Sequence, residues 1–283
     1  MNEKKQPMLY NKNSVDKIIL EKEFVYNGNL ILVNKNYPLK NVNEKENKFI
    51  SNGLKSIYKQ FPNILMKSEA VDMLQKALDK IGAGNQIVPV SGYRTFEEQT
   101  KIYEDSLKEH GEEFTKKFVA LPDTSEHQTG LAIDLAQNKK DIDFICPDFP
   151  YEGICQKFRE TSPDFGFILR YSQEKKEITG IAHEAWHFRY VGYPHSKIIT
   201  QKGICLEEYI EWIKQFDRKN TYLYRQGNET EIEIYYIKVD INKTIAMDLS
   251  YKAPYEISGN NVDGIIVTVW RKANEEEWEL FRN

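Results

Sequence analysis

The chain has 283 residues, long for one compact domain and short for two large ones. Hydrophobic residues make up 40% and charged residues 29%, which describes a globular protein rather than a disordered one. A net charge of −4 excludes nucleic acid as the main partner, because phosphate binding needs a basic surface.

Residues 1–29 hold no apolar run long enough for a signal peptide or a membrane helix. A chain that starts natively at Met1 is therefore expected in the cytoplasm, and one trimmed of an anchor at the membrane or cell surface. Residues 24–39, FVYNGNLILVNKNYPL, read as a short strand and turn feeding the core. Ser68 is placed to cap a helix over residues 69–82, where Val71, Leu74, Leu78 and Ile81 fall at helical spacing. QIVPV then reads as a buried strand, with Pro89 marking an edge or a bulge, and delivers residues 91–95 to its end. A polar helix follows over residues 96–119 and carries His110 on its exposed face, away from any ligand role.

Pro122 and Asp123 lead into a turn at His127. Gly130 suits a bend that returns the imidazole beside LAIDL, a short apolar run of strand type from which Asp134 projects. A carboxylate buried there costs roughly several kcal/mol unless it is paired or holds a metal. After the aromatic segment FICPDFPYEGICQKF, GFILRY and HFRYVG read as two strands joined by a charged hairpin, with Glu184 and His187 on or near the second. Residues three apart on a regular strand face opposite sides, so a bulge or turn near residues 185–186 must re-aim one of them if both are to meet. Cys146, Cys155 and Cys205 are too sparse for a disulfide framework and lack the CxxC spacing of a zinc knuckle.

From about Arg218 the character changes. TEIEIYYIKVDI, KTIAMDL, YEISGNN and GIIVTVW alternate with polar breaks, and Glu231, Ile232, Glu233 and Ile234 show the period of a half-buried strand. With Asn260, Asn261 and Gly264 as turn signals, this tail reads as a small antiparallel β unit near the lower limit for independent folding. The expected fold class is α+β: helices packed on a mainly antiparallel sheet whose open face carries a zinc site, with domains of residues 1–217 and 218–283.

The chemistry lies in two short segments. His127 and Asp134 stand seven apart in SEHQTGLAIDL, and Glu184 and His187 three apart in HEAWHFRYVG. Two imidazoles and one carboxylate can hold Zn²⁺ with a fourth position open for water, leaving a second carboxylate free as general base. Taken alone, a His–Asp spacing or a Glu–His pair fits an ordinary strand or helix face as well. Together, in a chain with only five histidines, they point to zinc-assisted amide hydrolysis. Arg94 in SGYRT adds a fixed cation, suited to the negative charge that grows on a carbonyl oxygen during that reaction. Trp186 and Phe188 flank His187 and can pack it. Arg170 and Arg189 can each bind a substrate carboxylate or serve a structural ion pair. His183 reads as tuning or packing, and His195 as closing the core.

SGYRT, SEHQTGLAIDL, GFILRY and HEAWHFRYVG, in that order, resemble the zinc D,D-carboxypeptidases and dipeptidases of the VanY, VanX and VanXY group. The resemblance runs from about residues 30–39 to 205–214. It implies His127, Asp134 and His187 as zinc ligands, Glu184 as catalytic base and Arg94 as oxyanion stabiliser. Ser125 and Gln99 would line the substrate cleft, and Arg170 is the candidate for the substrate carboxylate. Ala185 stands where the group often has Pro, and Asp123 where Gly is common; neither is a proposed ligand. The expected function is hydrolysis of the D-Ala-D-Ala bond in a small dipeptide or a muramyl peptide, which removes the target of glycopeptide antibiotics. The missing anchor favours the VanXY type. The alternatives are a peptidoglycan peptidase of the same fold with L,D-carboxypeptidase or endopeptidase specificity, and a noncatalytic cell-wall binder. Glu184 and Arg94 argue against the binder, which would need neither.

Overall fold

In the computed structural model, the residues described are 17–20, 22–40, 49–50, 54, 64–226, 230–240, 245–248 and 253–272. They fall into two compact units, Val33–Tyr209 and Met1–Leu32 together with Ile210–Asn283.

The first unit is built on four strands: β1 (Ile87–Ser91), β2 (Ala132–Gln137), β3 (Phe167–Tyr171) and β4 (Glu184–Tyr190). They lie in the order β1-β2-β4-β3, every pair antiparallel. Central β2 is buried over residues 132–136, as a strand covered on both faces should be, and Asp134 is its one charged residue. One face carries an aromatic core in which Phe149, Phe158 and Phe188 meet edge to face, with centroids 4.9 to 6.0 Å apart. Phe158 arrives on helix Gly153–Thr161. Successive side chains on a strand point to opposite faces, so seating Phe188 in this core aims its neighbour His187 the other way. Burial of that one ring stabilises the arrangement by about 2–3 kcal/mol.

The helices depart from expectation at their ends. Helix α1 (Ser68–Lys80) buries Ala70, Val71, Met73, Leu74 and Ala77, while Leu78 and Ile81 are half-buried. Lys67 is its N-cap, and no side chain caps it. The polar helix is two: α2 (Phe96–His110) and α3 (Glu112–Phe118). Gly111, at φ +81, turns the chain between them, a conformation that glycine adopts without strain. A capping box starts α2: Glu98 N–H donates to Thr95 Oγ1 at 3.1 Å, and Thr95 N–H to Glu98 Oε2 at 2.8 Å. Pro89 does mark a bulge, since the β1–β2 register shifts between Pro89 and Ser91. Between β3 and β4 the expected hairpin is replaced by a 3-10 turn, Gln173–Lys175, and one helical turn, Lys176–Thr179.

In the second unit β5 (Tyr222–Gln226), β6 (Thr230–Lys238), β7 (Tyr255–Gly259) and β8 (Gly264–Lys272) form an antiparallel sheet in the order β7-β8-β6-β5. Ile232 and Ile234 are fully buried and Glu231 and Glu233 are not, as the alternation predicts. Asn260 Oδ1 accepts from the backbone N–H groups of Val262, Asp263 and Gly264 at 2.9 to 3.0 Å, which sets the β7–β8 turn. Strand β5 was not among the predicted strands. Lys17–Leu20 pairs with Ile245–Asp248. Residues 22–26 form a 3-10 turn rather than a strand, and Val25 packs with Tyr235, Tyr255, Ile265, Val267 and Val269. That burial is why the early segment groups with the β unit, whose second stretch runs from Ile210.

Candidate metal centre

Three elements converge on Asp134. It sits on β2 directly across from His187 on β4, and cross-strand partners share a face. His127 comes from the 3-10 turn Glu126–Thr129, which Gly130 closes at φ +68 before β2 begins. Asp134 Oδ1 lies 2.9 Å from His187 Nδ1, and Oδ2 lies 3.1 Å from His127 Nε2. One ligand atom from each of the three falls within 4.8 Å of the others, and all three residues are buried. Among the described residues this is the one such group. Two imidazole nitrogens and a carboxylate oxygen form a donor set that suits zinc with a position to spare.

The two imidazoles turn different nitrogens to Asp134. His127 Nδ1–H donates to the Gly92 carbonyl at 2.7 Å, which leaves Nε2 free for an ion. His187 is reversed, with Nδ1 on the site side and Nε2 facing Glu126. The bulge expected near residues 185–186 is present. Leu169 pairs with Phe188 but Tyr171 pairs with Glu184, so one residue of β3 faces three of β4. The extra residues bring Glu184 to the face of His187, with Oε2 3.7 Å from Nδ1.

Arg94 borders the cluster and is fixed on several sides. Its Nη2 pairs with Asp134 Oδ2 at 3.1 Å, its Nε donates to Ser91 Oγ at 2.9 Å, and its Nη1 donates to Gln99 Oε1 at 3.2 Å. Gln99 is fully buried, and its amide donates to the Ala120 carbonyl at 2.8 Å. It therefore holds Arg94 instead of lining an open cleft. Ser125 is buried at the head of the His127 turn.

Arg170 does not face the site as a free cation. Its side chain is fully buried; Nε donates to Glu126 Oε1 at 2.8 Å, and Nη1 and Nη2 grip the Glu207 carboxylate at 2.8 and 2.6 Å. A buried guanidinium needs such partners, and two carboxylates leave it no charge to offer a substrate. Arg189 pairs with the same Glu126 oxygen at 2.8 Å. His183 lies outside the cluster, hydrogen-bonded to the Tyr171 carbonyl and the Tyr151 hydroxyl. His195 is buried against the Tyr209 hydroxyl at 2.6 Å, as a core histidine. His110 stacks on Phe114. Sequence reasoning passed over Glu126 and Ser91, although Glu126 stands next to His127 in the motif itself.

The electrostatics follow from burial and close charge. Burial would raise Asp134, but His127 and His187 outweigh it and hold the carboxyl well below its usual range. Burial, with Arg94 nearby, pushes His127 down to about 4. Burial alone would lower His187, yet its hydrogen bond to Asp134 and the nearby carboxylate of Glu126 prevail and raise it to about 9. Burial pushes Glu184 up to about 8, with Asp134 adding to the effect. Because the raised His187 keeps its proton up to about pH 9 in the metal-free protein, zinc must displace that proton from Nδ1. Zinc affinity is thus expected to rise roughly tenfold per pH unit from pH 6 and to level off near pH 9. Competition with a chromophoric chelator across that range, corrected for the chelator's own protonation, checks this. A flat profile would mean that His187 binds no proton at the site.

The family model for VanY D-alanyl-D-alanine carboxypeptidases matches residues 63–193. The bifunctional D-Ala-D-Ala dipeptidase and carboxypeptidase VanXYC of Enterococcus gallinarum is 42% identical over 193 residues, covering 67% of this chain and 97% of that one. The crystal structure of the vancomycin-resistance D,D-dipeptidase VanXYg, bound to a phosphinate analogue of D-Ala-D-Ala, superposes with a TM-score of 0.83 at 57% identity. That superposition covers 90% of this chain and 99% of VanXYg. A zinc complex of a VanY variant from a VanB-type resistance cassette gives a TM-score of 0.53 at 32% identity over 64% of this chain and 98% of its own. With its motifs, its sheet and its His–Asp–His cluster in these places, the chain belongs to the VanY family of D-alanyl-D-alanine carboxypeptidases.

Proposed function

We propose that this chain is a zinc D,D-peptidase of the VanXY type, which hydrolyses the bond between two D-alanines in the free dipeptide and at the end of muramyl pentapeptides. Such cleavage would remove the D-Ala-D-Ala target of glycopeptide antibiotics. The observation that carries the reading is the convergence of His127, Asp134 and His187 with Glu184 and Arg94 in one buried cluster. Kinship with the bifunctional relatives supports the dual substrate range. Among the described residues no helix is long and apolar enough to cross a membrane.

His127 Nε2, Asp134 and His187 Nδ1 would hold the zinc ion. Bound there, the ion supplies Lewis acidity that draws the pKa of a water towards about 7 and polarises the scissile carbonyl. Glu184, beside the ligands but not needed among them, accepts the proton of the attacking water and passes it to the leaving amine. Arg94, held rigid by Ser91 and Gln99, places a cation where negative charge grows on the carbonyl oxygen. Gln99 acts through Arg94. Ser125 is the remaining candidate for a direct substrate contact.

Arg94→Ala is expected to lower kcat by on the order of 10²- to 10³-fold, with a much smaller change in KM, because the charge it meets exists only in the transition state. Equal losses in binding and turnover would instead make Arg94 a ground-state anchor.

The reading as a whole is tested by release of free D-alanine from D-Ala-D-Ala and from muramyl pentapeptide by the zinc-loaded protein. Release from both supports a dual-activity enzyme. Release from neither sinks the D,D-peptidase reading.

A further inference from the structure

Glu126 has no part in the mechanism above, yet it is the most enclosed acid near the centre. Its side chain has no exposed surface, and it stands beside the ligand His127 in the chain. Oε1 is claimed twice, by Arg170 Nε and by Arg189 Nη1, each at 2.8 Å. Oε2 is buried and has no hydrogen-bond partner. It points at His187 Nε2, 3.5 Å away, which is likewise buried and without a partner. Two unsatisfied polar atoms, one an acceptor and the other able to donate, thus face each other within a few tenths of an ångström of hydrogen-bonding distance.

On its other side His187 offers Nδ1 to the cluster, 2.9 Å from Asp134 Oδ1. An imidazole that binds an ion through one nitrogen carries its proton on the other, and a carboxylate that accepts this proton fixes both tautomer and ring orientation. We propose that Glu126 is a positioning residue for the metal centre, accepting the Nε2–H of His187 so that the ring presents Nδ1 to zinc. This inference rests on the zinc reading above. Arg170 and Arg189 hold the carboxylate in place, and Glu207 holds Arg170 through both of its oxygens. Glu207 itself accepts from the Asn34 side chain at 3.1 Å. The two arginines therefore serve His187 at one remove, which gives a reason for burying two cations behind a metal ligand.

A purely structural Glu126 would only neutralise the arginines, and two measurements separate the roles. The first uses the wild-type protein loaded with zinc: long-range ¹H–¹⁵N spectra report which nitrogen of His187 carries the proton. A proton on Nε2 is expected, and a proton on Nδ1 with Nε2 on the metal overturns the proposal, whether or not any variant folds. The second compares zinc dissociation constants of Glu126→Gln, Glu126→Asp and Glu207→Gln by chelator competition. Gln keeps the shape but not the charge, Asp keeps the charge but withdraws it from His187, and Glu207→Gln disturbs Arg170 without touching His187. Both Glu126 variants are expected to bind zinc about 10- to 100-fold more weakly, with Glu207→Gln within about threefold of wild type. Unchanged zinc affinity in Glu126→Asp, or equal losses in all three, would reduce Glu126 to a counter-charge. Tautomer and affinity are read without substrate, so a failure here stands apart from a failure to release D-alanine.

Discussion

Glu184→Gln is expected to lower kcat for D-alanine release by on the order of 10²- to 10⁴-fold while the zinc content stays at wild-type level. Gln matches Glu in size and can still accept a hydrogen bond, so the bulge that brings residue 184 to the face of His187 should survive. What is lost is the capacity to take a proton. Glu184 is buried and 3.7 Å from His187 Nδ1, close enough to work on a water in the cluster. In the metal-free fold burial favours its free acid and pushes its pKa up to about 8. Single-turnover release of D-alanine, with metal content measured on the same sample, separates loss of chemistry from loss of zinc. Activity within tenfold of wild type would place the base elsewhere.

Asp134→Ala should abolish zinc binding and bring D-alanine release to background. The carboxylate is the one feature common to the whole cluster: Oδ1 meets His187, and Oδ2 meets both His127 and Arg94. Taking it away removes a ligand and also leaves the mostly buried Arg94 and a raised, protonated His187 without their nearest counter-charge. Breaking one partner of a buried ion pair costs about 3 kcal/mol or more. Urea unfolding of the wild type and the variant, both held in chelator, reads that cost apart from the loss of metal. Retention of one tightly held zinc per chain would show that Asp134 is not a ligand. A stability loss without any loss of zinc would make its role electrostatic alone.

The chemistry was legible in the chain because its donors come in two local packages. His127 and Asp134 are joined by a turn and one strand, and Glu184 and His187 by three positions on another. Local spacing needs no tertiary information, and strand parity alone required the bulge that now places Glu184. The alternation through residues 231–234 marked its strand for the same reason. Other signals misled. Ser68 has the residue type of a cap but sits one position inside the helix, with Lys67 at the boundary, whereas Thr95 and Glu98 formed the capping box.

The sequence by itself thus marked the candidate donors in two short segments and the strands that carry them, since each of these signals depends on residues a few positions apart. Tertiary structure alone decided what Arg170, Gln99, Glu126 and Val25 are for. Arg170 looked available for a substrate until Glu126, 44 positions before it, and Glu207, 37 after it, closed around its charge. Gln99 became a brace because the Ala120 carbonyl and Arg94 occupy its amide. Glu126 gained a role from the nitrogen of a histidine on another strand, and Val25 from a core laid down more than two hundred residues later. Burial and charge pairing are properties of the folded neighbourhood, and no periodicity along the chain encodes who the distant neighbour will be.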